Sequence, residues 1–180
     1  NDNGQKSGRI NKENLQEAHE WIKDIIEEKY GKKLYTRNWN NYYLDFKRLK
    51  KANIDPRKIY KIIEEYLSKV EGIEEVVFKN DFVDVESGDK ITKRIENMIH
   101  SQMPDIFPIV SYGYIYKNPY GTGHGSPYDY DTHVPLIFSR KYLSSSFDDK
   151  SHATVDIAPT IANIIGVLIP DYVDGKVINF

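Results

Sequence analysis

The residues with the clearest potential for chemistry fall in one stretch, Gly121–Leu136, which reads GTGHGSPYDYDTHVPL. Sixteen residues here hold three glycines, two histidines and two aspartates. His124 lies between two glycines, so its imidazole can reach a metal ion with little steric hindrance. One histidine does not complete a zinc site, which needs three or four ligands. From local content alone, a metal-ligand role and a hydrogen-bonding or surface role for His124 both stay open.

Three further polar residues follow the glycines. Asp129 and Asp131 are two positions apart and would share one face of an extended segment. They could be metal ligands or second-shell partners of a site. The alternative is a structural role in a turn or a helix cap. His133 precedes the apolar run Val134–Phe138, which we predict to be a buried strand. For His133 we favour a structural role in which its side chain hydrogen-bonds with the loop. The remaining histidines are expected to be ordinary surface residues: His19, His100 and His152.

Several common sites are excluded by spacing or composition. The glycine stretch lacks the Gly-Lys-Ser/Thr ending of a P-loop and the spacing of the dinucleotide fingerprint. Ser126 lies near His124 but not in a nucleophile-elbow pattern. The chain has no cysteine, so any metal must bind histidine and carboxylate ligands.

Length and composition indicate a globular protein with one main domain, or a core with an appended subdomain. The chain has 180 residues, 39% hydrophobic and 29% charged, with a net charge of −2. The small negative charge argues against nucleic acid as a partner. We find no signal peptide and no apolar run of membrane-spanning length. Because the sequence does not begin with Met, we expect it to start inside a longer parent protein.

The periodicity of apolar residues predicts alternating helices and strands, and therefore an α/β fold. Asn11 or Asn14 is predicted to cap the first helix and Gly31 to end it, while Asp55 and Pro56 begin the second. The predicted helices cover about residues 15–30, 56–70, 90–100 and 154–165. The predicted strands are residues 41–46, 74–78 and 134–138, together with a buried strand in 105–116 that turns at Gly113 towards a second short strand.

The order of motifs resembles a known family. GTGHGSPYDYDTHVPLIF at 121–138, followed by ATVDIAPTIANIIGV at 153–167, is similar to the bacterial phosphate-irrepressible alkaline phosphatases. These enzymes are part of the alkaline phosphatase and nucleotide pyrophosphatase/phosphodiesterase superfamily. GRIN at 8–11, NYYLD at 41–45 and GIEEV at 72–76 resemble the same family more weakly.

The resemblance implies an α/β/α sandwich with two zinc ions and a Thr or Ser nucleophile that attacks the phosphoryl group. On the matching motif, the late zinc ligand is His124, and Asp131 and His133 are second-shell or loop-organising candidates. The other ligands, the nucleophile and the Asp-His-Gly motif have no counterpart here, so no catalytic residue is assigned to this chain. We therefore expect the C-terminal part of a zinc-dependent phosphomonoesterase, inactive by itself and binding no zinc tightly alone.

Further expectations follow from this interpretation. Residues 1–103 would form a small α/β subdomain, cap-like or inserted, and residues 104–180 the C-terminal part of the core. The substrate would be a small phosphate ester, the location periplasmic or secreted by resemblance, and an exposed core surface would favour homo-oligomers.

Two alternatives stay open. One is a phosphodiesterase or nucleotide pyrophosphatase of the same superfamily. The other is a non-catalytic α/β binding module, whose ligand surface would draw on exposed aromatic residues among Trp39, Tyr42, Tyr43, Tyr112, Tyr114, Tyr116 and Tyr120.

Overall fold

The structure, a computed structural model, describes residues 7–31, 33–82, 88–116, 120–139, 141 and 144–179. The chain divides into two compact units, Asn1–Val134 and Pro135–Phe180. The division falls later than the boundary expected after residue 103, because the strand Ile106–Val110 hydrogen-bonds with strands from residues 41–78. The mixed α/β class that the sequence predicts is confirmed.

The first unit is built on a four-stranded sheet with helices packed against it. Its elements are β1 (Gly8–Arg9), α1 (Lys12–Tyr30), β2 (Tyr35–Asn38), β3 (Asn41–Leu44), α2 (Phe46–Lys51), α3 (Pro56–Leu67), β4 (Ile73–Phe78), a 3-10 turn (Lys79–Phe82), α4 (Lys90–Met98), β5 (Ile106–Val110), β6 (Tyr114–Ile115) and α5 (Asp129–Thr132). The sheet order is β2-β3-β5-β4, with every neighbouring pair antiparallel. The short strands β1 and β6 pair in parallel.

Helix α1 begins and ends where the sequence predicts, while α3 begins as predicted and ends at Leu67, three residues before the predicted end. The Asn11 carboxamide accepts hydrogen bonds from the backbone N–H groups of Glu13 and Asn14, and Gly31 follows the last turn with φ of 87°. Asp55 caps α3 in the same way, with Pro56 in the first turn. Both apolar stripes are buried in one core, whose fully enclosed side chains include Ile22, Ile26, Ile59 and Ile63.

The strand predicted at residues 41–46 is confirmed at Asn41–Leu44, where β3 pairs with β2 in a hairpin that the sequence did not predict, and a helix follows. Strand β3 ends at Leu44 because the next side chain, Asp45, accepts the backbone N–H of Arg48 and starts α2. At the hairpin turn, Trp39 adopts φ of 55° and is 76% exposed. The sequence lacks the Asn-Gly or Gly-X pair that marks most two-residue hairpins.

The ends of β3, β4 and β5 are joined by one buried aspartate. Asp105 Oδ2 accepts the backbone N–H of Leu44 at 2.8 Å, and Asp105 Oδ1 pairs with Lys79 Nζ at 2.8 Å. The two side chains are only 10% and 17% exposed. Because this pair is shielded from water, its charges attract each other more strongly than those of a surface pair, and removal of one partner would leave the other desolvated.

The prediction that His19 lies on the surface is wrong. His19 is on α1 and only 4% exposed. Its Nε2–H donates to Asn40 Oδ1 at 3.1 Å, and its Nδ1 accepts from the Tyr42 hydroxyl at 2.5 Å. Burial lowers the pKa of the imidazole to about 4, partly opposed by the Asn40 hydrogen bond and aided by the nearby charge of Arg37. Because charged residues surround His19 in the sequence, the sequence did not indicate that its side chain points into the core.

Stability is expected to fall in acid because of His19. Its folded pKa of about 4 lies below the value of 6.5 for an ordinary histidine, so the unfolded chain binds the proton more readily. This contribution is complete above pH 6.5 and is lost as the pH falls to about 4, a change of about 3 kcal/mol. Urea unfolding at a series of pH values should show this loss in the wild type but not in His19→Gln.

The matched control is His100→Gln, which changes an exposed histidine. Its pH dependence should follow that of the wild type. An equal acid loss in wild type and His19→Gln would contradict the neutral, buried His19.

The second unit contains a 3-10 turn at Thr154–Asp156 and α6 (Ile157–Ile165), which ends at Gly166 in the left-handed conformation as predicted. The Asp156 carboxylate accepts the backbone N–H groups of Ala153 and Lys176, and Thr160 Oγ1 accepts that of Ile178. A Cβ on Gly175 would lie 2.0 Å from the Val155 carbonyl oxygen. The Asp, Thr and Gly of this region therefore hold the tail against α6.

The predicted buried strand Val134–Phe138 is wrong. These residues form no strand, and Val134 and Ile137 are 63% and 81% exposed. An apolar run becomes a strand only where another strand accepts its backbone hydrogen bonds, and none of the described strands pairs with this run. The second unit also exposes other large apolar side chains, namely Phe147, Ile165, Val167, Leu168 and Tyr172.

Candidate functional site

The glycine loop, residues 120–128, connects the region after β6 to the short helix α5 in the first unit. Gly121 and Gly125 have φ of 95° and 105°, which a residue with a Cβ rarely adopts. Gly123 passes close to β6, and a Cβ there would lie 3.4 Å from the Ile115 side chain. The glycines therefore allow two sharp turns and one close approach, and they leave His124 exposed between them.

Asp131 holds the second half of this loop. Its Oδ2 accepts the backbone N–H of Ser126 at 2.6 Å. Burial opposes ionisation of the carboxyl group, but hydrogen bonds from Ser126 and Gly125 and the nearby His124 outweigh it and lower the pKa. Asp131 therefore carries a negative charge that acts on the loop backbone next to His124.

Asp129 has a different role, because residues 129–132 form a helical turn and not the extended segment expected. Its Oδ1 pairs with Lys90 Nζ at 2.7 Å and Arg94 Nη2 at 2.6 Å. Lys90, and then Arg94, lower the pKa of this carboxyl group. Asp129 thus connects α5 to α4.

Among the described residues, the other predicted side chains take no part in a cluster that could bind a metal. His133 follows α5, is exposed, and donates its backbone N–H to Asp129. His100 is exposed, and His152 Nε2 lies 3.3 Å from Asp148 Oδ2. The Ser126 hydroxyl oxygen is buried without a hydrogen-bond partner among the described residues, which fits a packed side chain better than an accessible nucleophile.

Three tyrosines form a cluster against the turn at residues 111–113. Tyr112 meets Tyr130 edge to face at 4.9 Å between ring centroids, and Tyr128 at 5.2 Å. The Tyr128 hydroxyl donates to the Val110 carbonyl, and the Tyr130 hydroxyl accepts the Gly113 N–H. This cluster fixes α5 on the end of β5.

The described residues do not fit a complete zinc site. Within the described ranges, no group of three or more His, Asp and Glu side chains is arranged to hold a metal ion. Zinc needs three or four such donors. His124 offers one nitrogen, while the carboxylate of Asp131 is engaged with the loop backbone and that of Asp129 with Lys90 and Arg94.

Sequence reasoning missed two residues that contact the loop. Arg9 Nη2 donates to the Gly121 carbonyl at 2.9 Å, and Arg94 Nη1 donates to the Pro127 carbonyl at 2.6 Å. The only local signal was the spacing of Lys90 and Arg94, which places two cations on one helix face. Nothing in the sequence indicated what they contact.

The comparisons with known proteins agree with the motifs. No model of a known protein family matches the chain. The chain is 28% identical over 141 residues to alkaline phosphatase PhoV of Synechococcus elongatus, covering 78% of this chain and 26% of PhoV. It is 39% identical over 57 residues to alkaline phosphatase PhoK of a Sphingomonas species, covering 31% of this chain and 10% of PhoK.

The fold is also that of a known alkaline phosphatase. The crystal structure of wild-type alkaline phosphatase PafA superposes with a TM-score of 0.75 at 20% identity, covering 98% of this chain and 34% of PafA. The chain thus spans about a quarter of PhoV and a third of PafA. These findings confirm the resemblance to the alkaline phosphatase superfamily that the glycine-loop motifs indicate.

Proposed function

We propose that this chain is part of a metal-dependent phosphate-ester hydrolase, in which His124 supplies one nitrogen ligand. The observation that carries the proposal is the exposed His124 on a glycine loop held by Asp131, in a chain similar to PhoV over most of its length. In the alkaline phosphatases that the motifs resemble, two zinc ions act as Lewis acids on the phosphoryl group. No catalytic residue is assigned to the described residues.

The remaining ligands and the Thr or Ser nucleophile would come from outside this chain. Two observations support this view: the described residues offer no complete metal cluster, and PhoV and PafA are about three to four times longer than the region matched. By itself, the chain is therefore proposed to be inactive and to bind no zinc tightly.

The test is hydrolysis by the parent protein, meaning the gene product that contains this chain. It should cleave p-nitrophenyl phosphate, and the His124→Ala variant should not. Faster cleavage of bis-p-nitrophenyl phosphate than of the monoester would favour the phosphodiesterase alternative. A parent protein that cleaves neither ester would contradict the proposal and support a non-catalytic binding module.

A periplasmic or secreted location is proposed from the family resemblance. No helix in the described part of the chain is long and apolar enough to cross a membrane. Self-association is proposed through the exposed apolar side chains of the second unit, since burial of exposed apolar surface is favourable. Sedimentation velocity of the chain and of a Leu168→Ser, Ile137→Ser variant should show a dimer only for the former.

A further inference from the structure

The two sharp turns of the glycine loop, at Gly121 and Gly125, receive little support from packing. At Gly121 and Gly125 an added Cβ would meet no atom of the described residues within 4 Å, so both turns border open space. His124 between them is exposed. A glycine-rich segment also has more conformational freedom to lose than any other. The position of the His124 imidazole must therefore depend on hydrogen bonds made to the loop backbone.

Two arginines from distant parts of the chain hold the two ends of this loop. Arg9 Nη2 donates to the Gly121 carbonyl at 2.9 Å, three residues before His124. Arg94 Nη1 donates to the Pro127 carbonyl at 2.6 Å, three residues after it. Both contacts are to backbone atoms, so they act on the path of the chain.

At the second end of the loop, neighbouring residues hold the Arg94 side chain itself in place. Its side chain is 25% exposed, and its Nη2 also donates to Asp129 Oδ1 at 2.6 Å. The neighbouring Ile95 is 2% exposed and packs in a cluster with Val77, Met103 and Phe107. The guanidinium is planar and rigid, so two simultaneous hydrogen bonds define both its position and its orientation.

We propose that Arg94 is a positioning residue for His124. It fixes the second end of the glycine loop to α4 and the core, while Arg9 restrains the first end and Asp131 braces Ser126 between them. The inference rests on the proposed function of His124 as a ligand. It adds that the loop is ordered before a metal binds. The residues that order it touch no substrate.

The first test measures loop order directly in the full 180-residue chain. Backbone ¹⁵N relaxation is recorded for Gly121, Gly123, His124 and Gly125 in wild type, Arg94→Met and Arg94→Lys. In Arg94→Met we expect order parameters to drop below about 0.6, the range of flexible backbone. Arg94→Lys, which keeps the charge and one donor, should lie between Arg94→Met and wild type.

Arg57→Met is the matched control. Arg57 also forms an ion pair with an aspartate, Asp81, and its guanidinium lies 5.3 Å from the Phe78 ring centroid. Among the described residues, Arg57 makes no hydrogen bond or ion pair with the loop, so the same loss of an arginine–aspartate pair should leave the loop order unchanged. Loop order parameters in Arg94→Met equal to those of wild type would overturn the proposal.

The second test asks whether the effect reaches His124 in the parent protein. Zn²⁺ affinity, measured by competition with a chelating dye, should weaken about 10–100-fold in Arg94→Met, as for other groups that orient a metal ligand. Arg94→Lys should recover part of this loss, which a general loss of stability would not explain. Unchanged zinc affinity in Arg94→Met would also overturn the proposal.

The two hypotheses fail in different ways. If His124→Ala retains full zinc and full turnover, the proposed ligand role of His124 is wrong, whatever Arg94→Met does to loop order. If His124→Ala loses zinc but Arg94→Met keeps both zinc affinity and loop order, only the positioning role is wrong.

Discussion

Replacement of His124 by alanine is expected to lower kcat/KM of the parent protein for a phosphate monoester by more than about 100-fold. Even groups that only orient a metal ligand typically cost 10–100-fold when removed, so loss of the ligand itself should cost at least as much. Because the side chain is exposed, the substitution should leave the folded structure intact. Initial-rate kinetics and the metal content of the purified variant are the measurements.

The control for His124→Ala is His100→Ala. His100 is also exposed, and its Nδ1 accepts the backbone N–H of Gln102. This variant should retain the zinc content and turnover of the wild type. A His124→Ala enzyme with full zinc and full turnover would remove the main support for the proposed function.

Replacement of Asp105 by alanine is expected to destabilise the first unit by about 3–5 kcal/mol. The change leaves Lys79 Nζ, in a side chain only 17% exposed, without its carboxylate and the backbone N–H of Leu44 without its acceptor. Breaking one side of a buried pair costs this much because the remaining charge stays desolvated. Urea unfolding followed by far-UV circular dichroism would measure the loss.

Asp81→Ala provides the comparison for Asp105→Ala. Asp81 pairs with Arg57, but these side chains are 32% and 51% exposed. A surface ion pair contributes less than about 1 kcal/mol. If the two variants lost equal stability, burial of the Lys79–Asp105 pair would not be the reason for its importance.

Sequence analysis correctly predicted those parts of the fold that are determined by residues close together in the sequence. Asn11 and Gly31 at the ends of α1, and Asp55 and Pro56 at the start of α3, act within a few residues of themselves. Their stripes of isoleucine follow the helical period, so the buried face was predictable as well.

The incorrect predictions concern residues whose structure depends on partners far away in the sequence. Val134–Phe138 has the composition of a buried strand, but no described strand pairs with it. His19 is buried because Tyr42 and Asn40, more than 20 residues away, satisfy both ring nitrogens. The hairpin at Trp39 forms without the usual turn residues, so its sequence gives no local signal.

The candidate site shows the same difference between features set by neighbouring residues and features set by distant ones. The exposure of His124 was predictable from its flanking glycines, and the resemblance indicated which loop to consider. The carbonyl contacts of Arg9 and Arg94 were not predictable, because any arginine can donate to any nearby carbonyl and only the tertiary structure brings them together. Whether His124 binds a metal stays a prediction.

A zinc titration by calorimetry on the 180-residue chain, with His124→Ala as the control, tests the central claim most directly. We predict absent or very weak binding in both, because the chain supplies one nitrogen ligand of a site that needs three or four donors. Tight stoichiometric binding to the chain that is lost in His124→Ala would contradict this account. It would mean that the chain completes a metal site of its own, with Asp129, Asp131 or His133 as the first candidates for the additional ligands.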